Sequence, residues 1–261
     1  MRFESQVIVV TGGGGGIGRA VCRQLGSEGA RIVVVDTDVE AAEQTVEDVE
    51  KNGGRTPLVV SVDIADSRGV AKSLSEIVAA YGQVDGLVNC AGVRMVSRRI
   101  VDVDDEQWGS VTRANLWGAF VIARETARVM SARGAGSIVM IASLSGQAPR
   151  MGQSAYCISK AGVLQLTRVL ALELSGIGVR VNSVSPGVVN TPMMALSRAQ
   201  DGEQVVESKL YGSLKDFRVG IPLRRVAEPE DVSSAVLYLL SSEARHVTGQ
   251  NVFVDGGESI V

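Results

Sequence analysis

The chain has one histidine, His246, and three cysteines, Cys22, Cys90 and Cys157, set far apart. So thin a supply of imidazole and thiol gives no C-x-x-C ligand spacing, no disulfide framework and no Ser-His-Asp triad. No metal site is expected, and the thiols read as inert core residues. No apolar run approaches the roughly 18 residues of a membrane span, so no membrane partner is expected. The N-terminus, MRFESQVIVVTGG, places Glu4 ahead of a strand-length apolar run, which is not the build of a secretory signal, and a cytoplasmic location follows as the expectation. Neither charge is in excess: 26 Lys and Arg against 29 Asp and Glu give a net charge of −3, without the electrostatic footprint of a nucleic-acid partner.

What the sequence has is 45% hydrophobic residues, 30 glycines and a repeating pattern. Runs rich in valine and isoleucine at 6–10, 31–36, 57–63, 84–89, 137–143, 179–185 and 251–255 show little alternation, as strands covered on both faces do. Between them lie helical stretches near 16–28, 38–51, 66–81, 103–132, 154–175 and 228–241. The pattern predicts an α/β fold: a single domain over 1–261, a Rossmann-type doubly wound parallel sheet of about seven strands with helices on both faces. One segment, 188–226, breaks the rhythm and is expected to be a substrate lid, with Met193, Met194, Leu196, Leu210 and Phe217 as candidates for its apolar wall.

Residues 11–18, TGGGGGIG, fall where the first strand hands over to the first helix, the place where a pyrophosphate meets an α/β sheet. Two spacings fit: G-x-G-x-x-G on Gly13, Gly15 and Gly18, and T-G-x-x-x-G-x-G on Thr11, Gly12, Gly16 and Gly18. Asp36 ends the second strand at the distance expected of a ribose-binding carboxylate. That carboxylate would repel a 2′-phosphate, and the following TDVE supplies no cation to offset it, so the cofactor expected is NAD.

Tyr156 and Lys160 are four apart on a helix and so share a face. A nearby ammonium would lower the phenol pKa, letting Tyr156 take a hydroxyl proton as hydride leaves the same carbon. Ser143, ending the fifth strand, would orient the substrate oxygen, and the Asn115 amide would hold a water touching Lys160. Each has a bland alternative in surface or core packing. The order of Ser and Tyr-x-x-x-Lys downstream of a dinucleotide loop favours catalysis.

Together with Asp63, the NCAG of 89–92 and the SPG of 185–187, these motifs resemble the short-chain dehydrogenase/reductase family along essentially the whole chain. The resemblance implies that Gly12, Gly16 and Gly18 are the functional glycines, that Asp63 and Ile64 flank the adenine, and that Asn89 stabilises the central strands. It adds Ile17, Ala91, Gly92, Pro186, Gly187, Val189 and Thr191 to the cofactor site, Thr191 against the carboxamide, with Tyr156 and Lys160 also touching cofactor. It further implies a homotetramer built through the helices near 103–132 and 154–175. APRMGQSAY at 148–156 and the segment 211–232 resemble 2,3-dihydro-2,3-dihydroxybenzoate dehydrogenases, whereas VVNTPMM at 188–194 is closer to the broader family. The implied substrate is a carboxylated ring alcohol, with the related dihydro-3-hydroxyanthranilate as the alternative. Its carboxylate needs a cation, for which Arg150 is the first candidate and Arg94 the second; Met193 would line the ring. A different alcohol dehydrogenase or ketoreductase, and a non-catalytic NAD-binding regulator, are the remaining readings.

Overall fold

The structure, a computed structural model, describes residues 1–202 and 204–260. Seven strands form one parallel sheet: β1 (Val7–Thr11), β2 (Arg31–Asp36), β3 (Leu58–Ser61), β4 (Gly86–Asn89), β5 (Gly136–Ile141), β6 (Val179–Pro186) and, from the C-terminal segment, Asn251–Val254. Their order across the sheet is β3-β2-β1-β4-β5-β6 and then the C-terminal strand. The chain runs outward from β1 to β3, then restarts on the other side of β1 at β4. The connections leaving the carboxyl ends of β1 and β4 therefore run in opposite directions, a topological switch point where ligands bind in such sheets.

Helices α1 (Gly16–Ser27) and α2 (Val39–Lys51) cover one face, joined by the helix Pro229–Leu240; α3 (Ser67–Tyr81) and the helices Gly118–Arg133 and Ser154–Ser175 cover the other. Strand residues alternate between two cores: Val9, Leu87 and Ile138 pack with Leu74, Ile122 and Leu164, while Ile8, Val88 and Val139 pack with Val21, Val49 and Val236. Both faces are apolar because both are covered, which is why the strands read as continuous valine and isoleucine.

Three expectations need correction. The helix expected over 103–132 is divided into α4 (Asp105–Thr112), a π-turn (Arg113–Trp117) and α5 (Gly118–Arg133). Asn115 lies in the π-turn and is tied to the main chain of Val93, so the extra residue is held by a contact that helical periodicity does not reveal. The strand expected at 137–143 stops at Ile141, which frees Ser143 to start a short turn. After α6 (Ser154–Ser175), the segment 188–226 is not irregular: it holds α7 (Pro192–Asp201), α8 (Gln204–Tyr211) and a small hairpin of β7 (Gly212–Ser213) and β8 (Arg218–Val219). Its base is closed where Asn190 N donates to Ala227 O at 2.8 Å and Ala227 N to Val188 O at 3.0 Å.

The proposed apolar wall also shrinks. Met193 and Met194 line the cleft, but Leu196 is exposed, and Phe217, at φ 48°, is 87% exposed. A residue in the left-handed turn of a hairpin points outward whatever its hydrophobicity. The chain continues through α9 (Pro229–Leu240) to β9 (Asn251–Val254).

Candidate active site

The glycine loop answers the ambiguity of its spacing by geometry. Gly12 has φ +61°, and a Cβ there would lie 2.7 Å from Ala91 N; a Cβ on Gly18 would lie 2.2 Å from Gly12 O. Both positions require glycine, the first for conformation and close approach, the second so that α1 can turn back onto the loop. A Cβ on Gly16 would lie 2.7 Å from Thr191 Cγ2, which brings the loop against the start of α7. Gly15 is different, with only Gly12 O at 3.3 Å.

The N-terminus of α1 is built for an anion. Helices α2, α3 and α4 are capped by the carboxylates of Asp38, Asp66 and Asp104. By contrast Gly15, the N-cap of α1, offers no side-chain bond, and no acidic residue occupies the first turn. Its first backbone N–H groups are thus free of any capping carboxylate, the arrangement that suits an anion. Asp36 stands beside them, its carboxylate accepting from Gly14 N at 2.9 Å and Asp38 N at 3.0 Å. These residues fit a dinucleotide. Arg19 from α1 lines the same recess, which the sequence reading missed because it searched only after Asp36 for a cation; it bonds Gln44 Oε1 at 2.9 Å.

The other cofactor candidates line up along the carboxyl edge of the sheet. Thr11 Oγ1 donates to Asn89 Oδ1 at 2.6 Å, joining β1 to β4, and accepts from Ala91 N at 3.3 Å. Asp63 accepts from Ala65 N at 2.8 Å and pairs with Arg113 at 3.2 Å, with Ile64 buried beside Gly118. Ile17, Gly92, Pro186, Gly187, Val189 and Thr191 line a cleft of about 520 Å³.

Ser143, Tyr156 and Lys160 meet in the same cleft. Lys160 is buried and donates to Ile141 O at 2.9 Å, with Nζ 5.9 Å from the centre of the Tyr156 ring. Burial of the ammonium draws its pKa down to about 8. The expected lowering of Tyr156 is not what the structure gives. Burial raises the phenol above its ordinary value, with the Ser143 hydroxyl opposing. The Asn115 amide is likewise engaged: Oδ1 accepts from Val93 N at 2.7 Å and Nδ2 donates to Val93 O at 2.9 Å. It holds the Gly92–Val93 backbone beside Lys160; a Cβ on Gly92 would lie 3.0 Å from Asn115 Oδ1 and 3.5 Å from Lys160 Nζ.

Arg94, Arg150 and Met193 also line the cleft. Arg150 donates to Glu258 Oε1 at 2.6 Å, so the first candidate for a substrate carboxylate is already bonded to an internal one. Arg218 and Glu258 went unnoticed in the sequence. Arg218 lies within the 211–232 segment and Glu258 near the C-terminus, but nothing local marks either, and only folding of the hairpin and of the C-terminal turn Glu258–Ile260 brings them to the cleft. No group of three or more His, Cys, Asp or Glu side chains placed to hold a metal occurs among the described residues.

Comparison with known proteins agrees with this architecture. A family model described as Enoyl-(Acyl carrier protein) reductase matches residues 12–259. The 2,3-dihydro-2,3-dihydroxybenzoate dehydrogenase of Bacillus subtilis (strain 168) is 38% identical over 260 residues, covering 99% of this chain and 97% of that protein. The crystal structure of levodione reductase superposes with a TM-score of 0.93 at 30% identity over the whole of both chains. That of NAD+-bound xylitol dehydrogenase gives 0.88 at 28% identity, covering 98% of this chain and all of the other. The alcohols in these names differ while the fold and the full-length match persist. This chain belongs to the short-chain dehydrogenase/reductase family and is an oxidoreductase acting on CH–OH groups.

Proposed function

We propose that the protein oxidises a carboxylated ring secondary alcohol with NAD, converting 2,3-dihydro-2,3-dihydroxybenzoate to 2,3-dihydroxybenzoate. The observation that carries the reading is the convergence of Ser143, Tyr156 and Lys160 in one cleft with the uncapped N-terminus of α1 and with two arginines, Arg150 and Arg218, around a single buried carboxylate, Glu258. The likeness to the Bacillus dehydrogenase supports the ring and its carboxylate.

In this reading Gly12, Gly16 and Gly18 let the backbone approach the pyrophosphate, and Asp36 accepts from the ribose hydroxyls. Bound NAD supplies the hydride acceptor. Ser143 holds the substrate oxygen by its hydroxyl, and Tyr156, as phenolate, takes the proton from that oxygen. The Lys160 ammonium lies along the tyrosine ring and favours the phenolate electrostatically; Asn115 fixes the loop that walls this path. Thr191 caps α7 against the glycine loop, and Met193 supplies apolar contact from the lid, the role assigned to 188–226. The domain 1–261 acts as a cytoplasmic homotetramer, with neither nucleic acid nor membrane as partner; among the described residues no helix is long and apolar enough to cross a membrane.

The decisive assay is NADH formation with purified protein, NAD and either 2,3-dihydro-2,3-dihydroxybenzoate or its 2-amino analogue. Turnover of the first supports the reading. Turnover of the amino compound alone replaces the substrate with dihydro-3-hydroxyanthranilate, and turnover of neither removes the carboxylated ring.

A further inference from the structure

The Glu258 side chain is fully buried, yet it meets two guanidinium groups through the same oxygen. Arg150 Nη2 donates to Oε1 at 2.6 Å, and Arg218 Nη2 lies 3.0 Å from that atom. The second carboxylate oxygen, Oε2, and Arg218 Nε are buried without a hydrogen-bond partner. Two cations thus share one anion in a largely water-excluded wall of the cleft, with a donor left over. Uncompensated buried charge and an unmet N–H are both costly, and an arriving anion relieves both. Burial, reinforced by the nearby Arg150 cation, lowers the Arg218 pKa, with Glu258 and Asp216 opposing. Asp216, on the turn before β8, is exposed and accepts from Ser213 Oγ at 2.6 Å, so it is a solvated charge at the rim.

The three groups arrive from separate parts of the chain: Arg150 from the loop before α6, Arg218 from the hairpin of the lid, Glu258 from the C-terminal turn. Arg150 makes the shorter bond to the shared oxygen, whereas Arg218 keeps Nε for a second acceptor. A planar guanidinium with an unpaired donor is the group suited to a carboxylate. We propose that Arg218, oriented by Glu258, is the residue that binds the substrate carboxylate, and that Arg150 is the ion-pair partner of Glu258. The proposal rests on the reading of the substrate as a carboxylated ring alcohol. It adds a consequence: a carboxylate on Arg218 ties the lid hairpin to the occupied cleft.

The test is calorimetric titration of the whole protein, with NADH present, by 2,3-dihydroxybenzoate and by catechol, which differ only in the carboxylate. Wild type should prefer the acid by about tenfold or more, the scale of a charge-assisted hydrogen bond. Arg218→Met should abolish that preference, and Arg150→Met should keep it. Glu258→Gln, which removes the internal anion but keeps the shape, should enlarge it; an unchanged preference would mean that Glu258 does not act on Arg218. Preference retained in Arg218→Met, or lost in a folded Glu258→Gln, overturns the assignment. Equal wild-type affinity for both compounds removes the anion site while leaving the ring; binding of neither removes the ring reading and the site with it.

Discussion

In the proposed reaction Tyr156 is the residue on which the chemistry turns. It lies half-buried in the cleft beside Ser143, so replacement by phenylalanine deletes one oxygen with little change in packing. Tyr156→Phe should cut kcat by at least about a hundredfold, the lower range for a general acid or base, while NAD affinity measured by fluorescence titration stays near wild type. A modest loss of rate would remove Tyr156 from the role.

Lys160 gives a residue-scale prediction of a different kind. Its pKa falls from 10.5 to about 8 in the folded chain, so burying the ammonium costs about 3 kcal/mol below pH 8. From about 8 to 10.5 the unfolded chain holds a proton that the folded chain has lost, and stability rises with pH across that window. Lys160→Met lacks the penalty. Denaturant melts of both proteins should therefore show the variant's stability, relative to wild type, greatest below pH 8 and declining toward pH 10.5. A constant difference would mean that the ammonium is solvated.

Asp36 and Arg19 set the cofactor question at the same scale. In the proposed reading the carboxylate discriminates against a 2′-phosphate, while the cation in the same recess is partnered by Gln44. Asp36→Ala should shift the ratio of kcat/KM for NAD over NADP toward NADP by about tenfold, corresponding to one charged hydrogen bond. An unchanged ratio would leave Asp36 without contact to the ribose.

At the scale of the element, the loop from β1 into α1 separates glycines that five identical letters conceal. Gly18→Ala places a methyl into Gly12 O and should destabilise by about 1–3 kcal/mol, as overpacking does, with loss of NAD binding. Gly15→Ala meets only an oxygen at 3.3 Å, at φ −80°, and should cost no more than about 1 kcal/mol. Chemical denaturation of the two variants side by side checks the contrast; equal losses would mean the loop is not packed as described. The π-turn makes the complementary point, since it shows an element whose form depends on a partner, Val93, far from it in sequence.

The whole molecule leaves a hydrophobic stripe uncovered. Ile158, Val169 and Leu172 share one face of α6, and Leu172 is 80% exposed, with Trp108 and Trp117 exposed on the segment spanning α4 and the π-turn. Such a surface fits subunit association. Light scattering should give the mass of four 27.4 kDa chains, and Leu172→Glu should lower it. A monomeric mass for the wild type would remove the tetramer from the proposal.

Fold class was legible from the sequence because a parallel sheet covered on both faces forces continuous apolar strands, and the helices between them force the crossover order. The glycine loop, Asp36 and the Ser, Tyr and Lys positions were legible for a related reason: each is fixed by local geometry at a strand end or on one helical face. Contacts between distant segments were not. Arg150 and Arg218 lie 68 positions apart and meet only through Glu258, 108 residues beyond Arg150. The raised Tyr156 pKa likewise depends on burial, which only the packing of separate segments produces. Local spacing and polarity determine backbone periodicity and nearby motifs, so the sequence by itself determined the sheet, the glycine turn from β1 into α1 and the shared helical face of Tyr156 and Lys160; desolvation and long-range charge pairing arise only when remote segments pack, and these the tertiary structure decided.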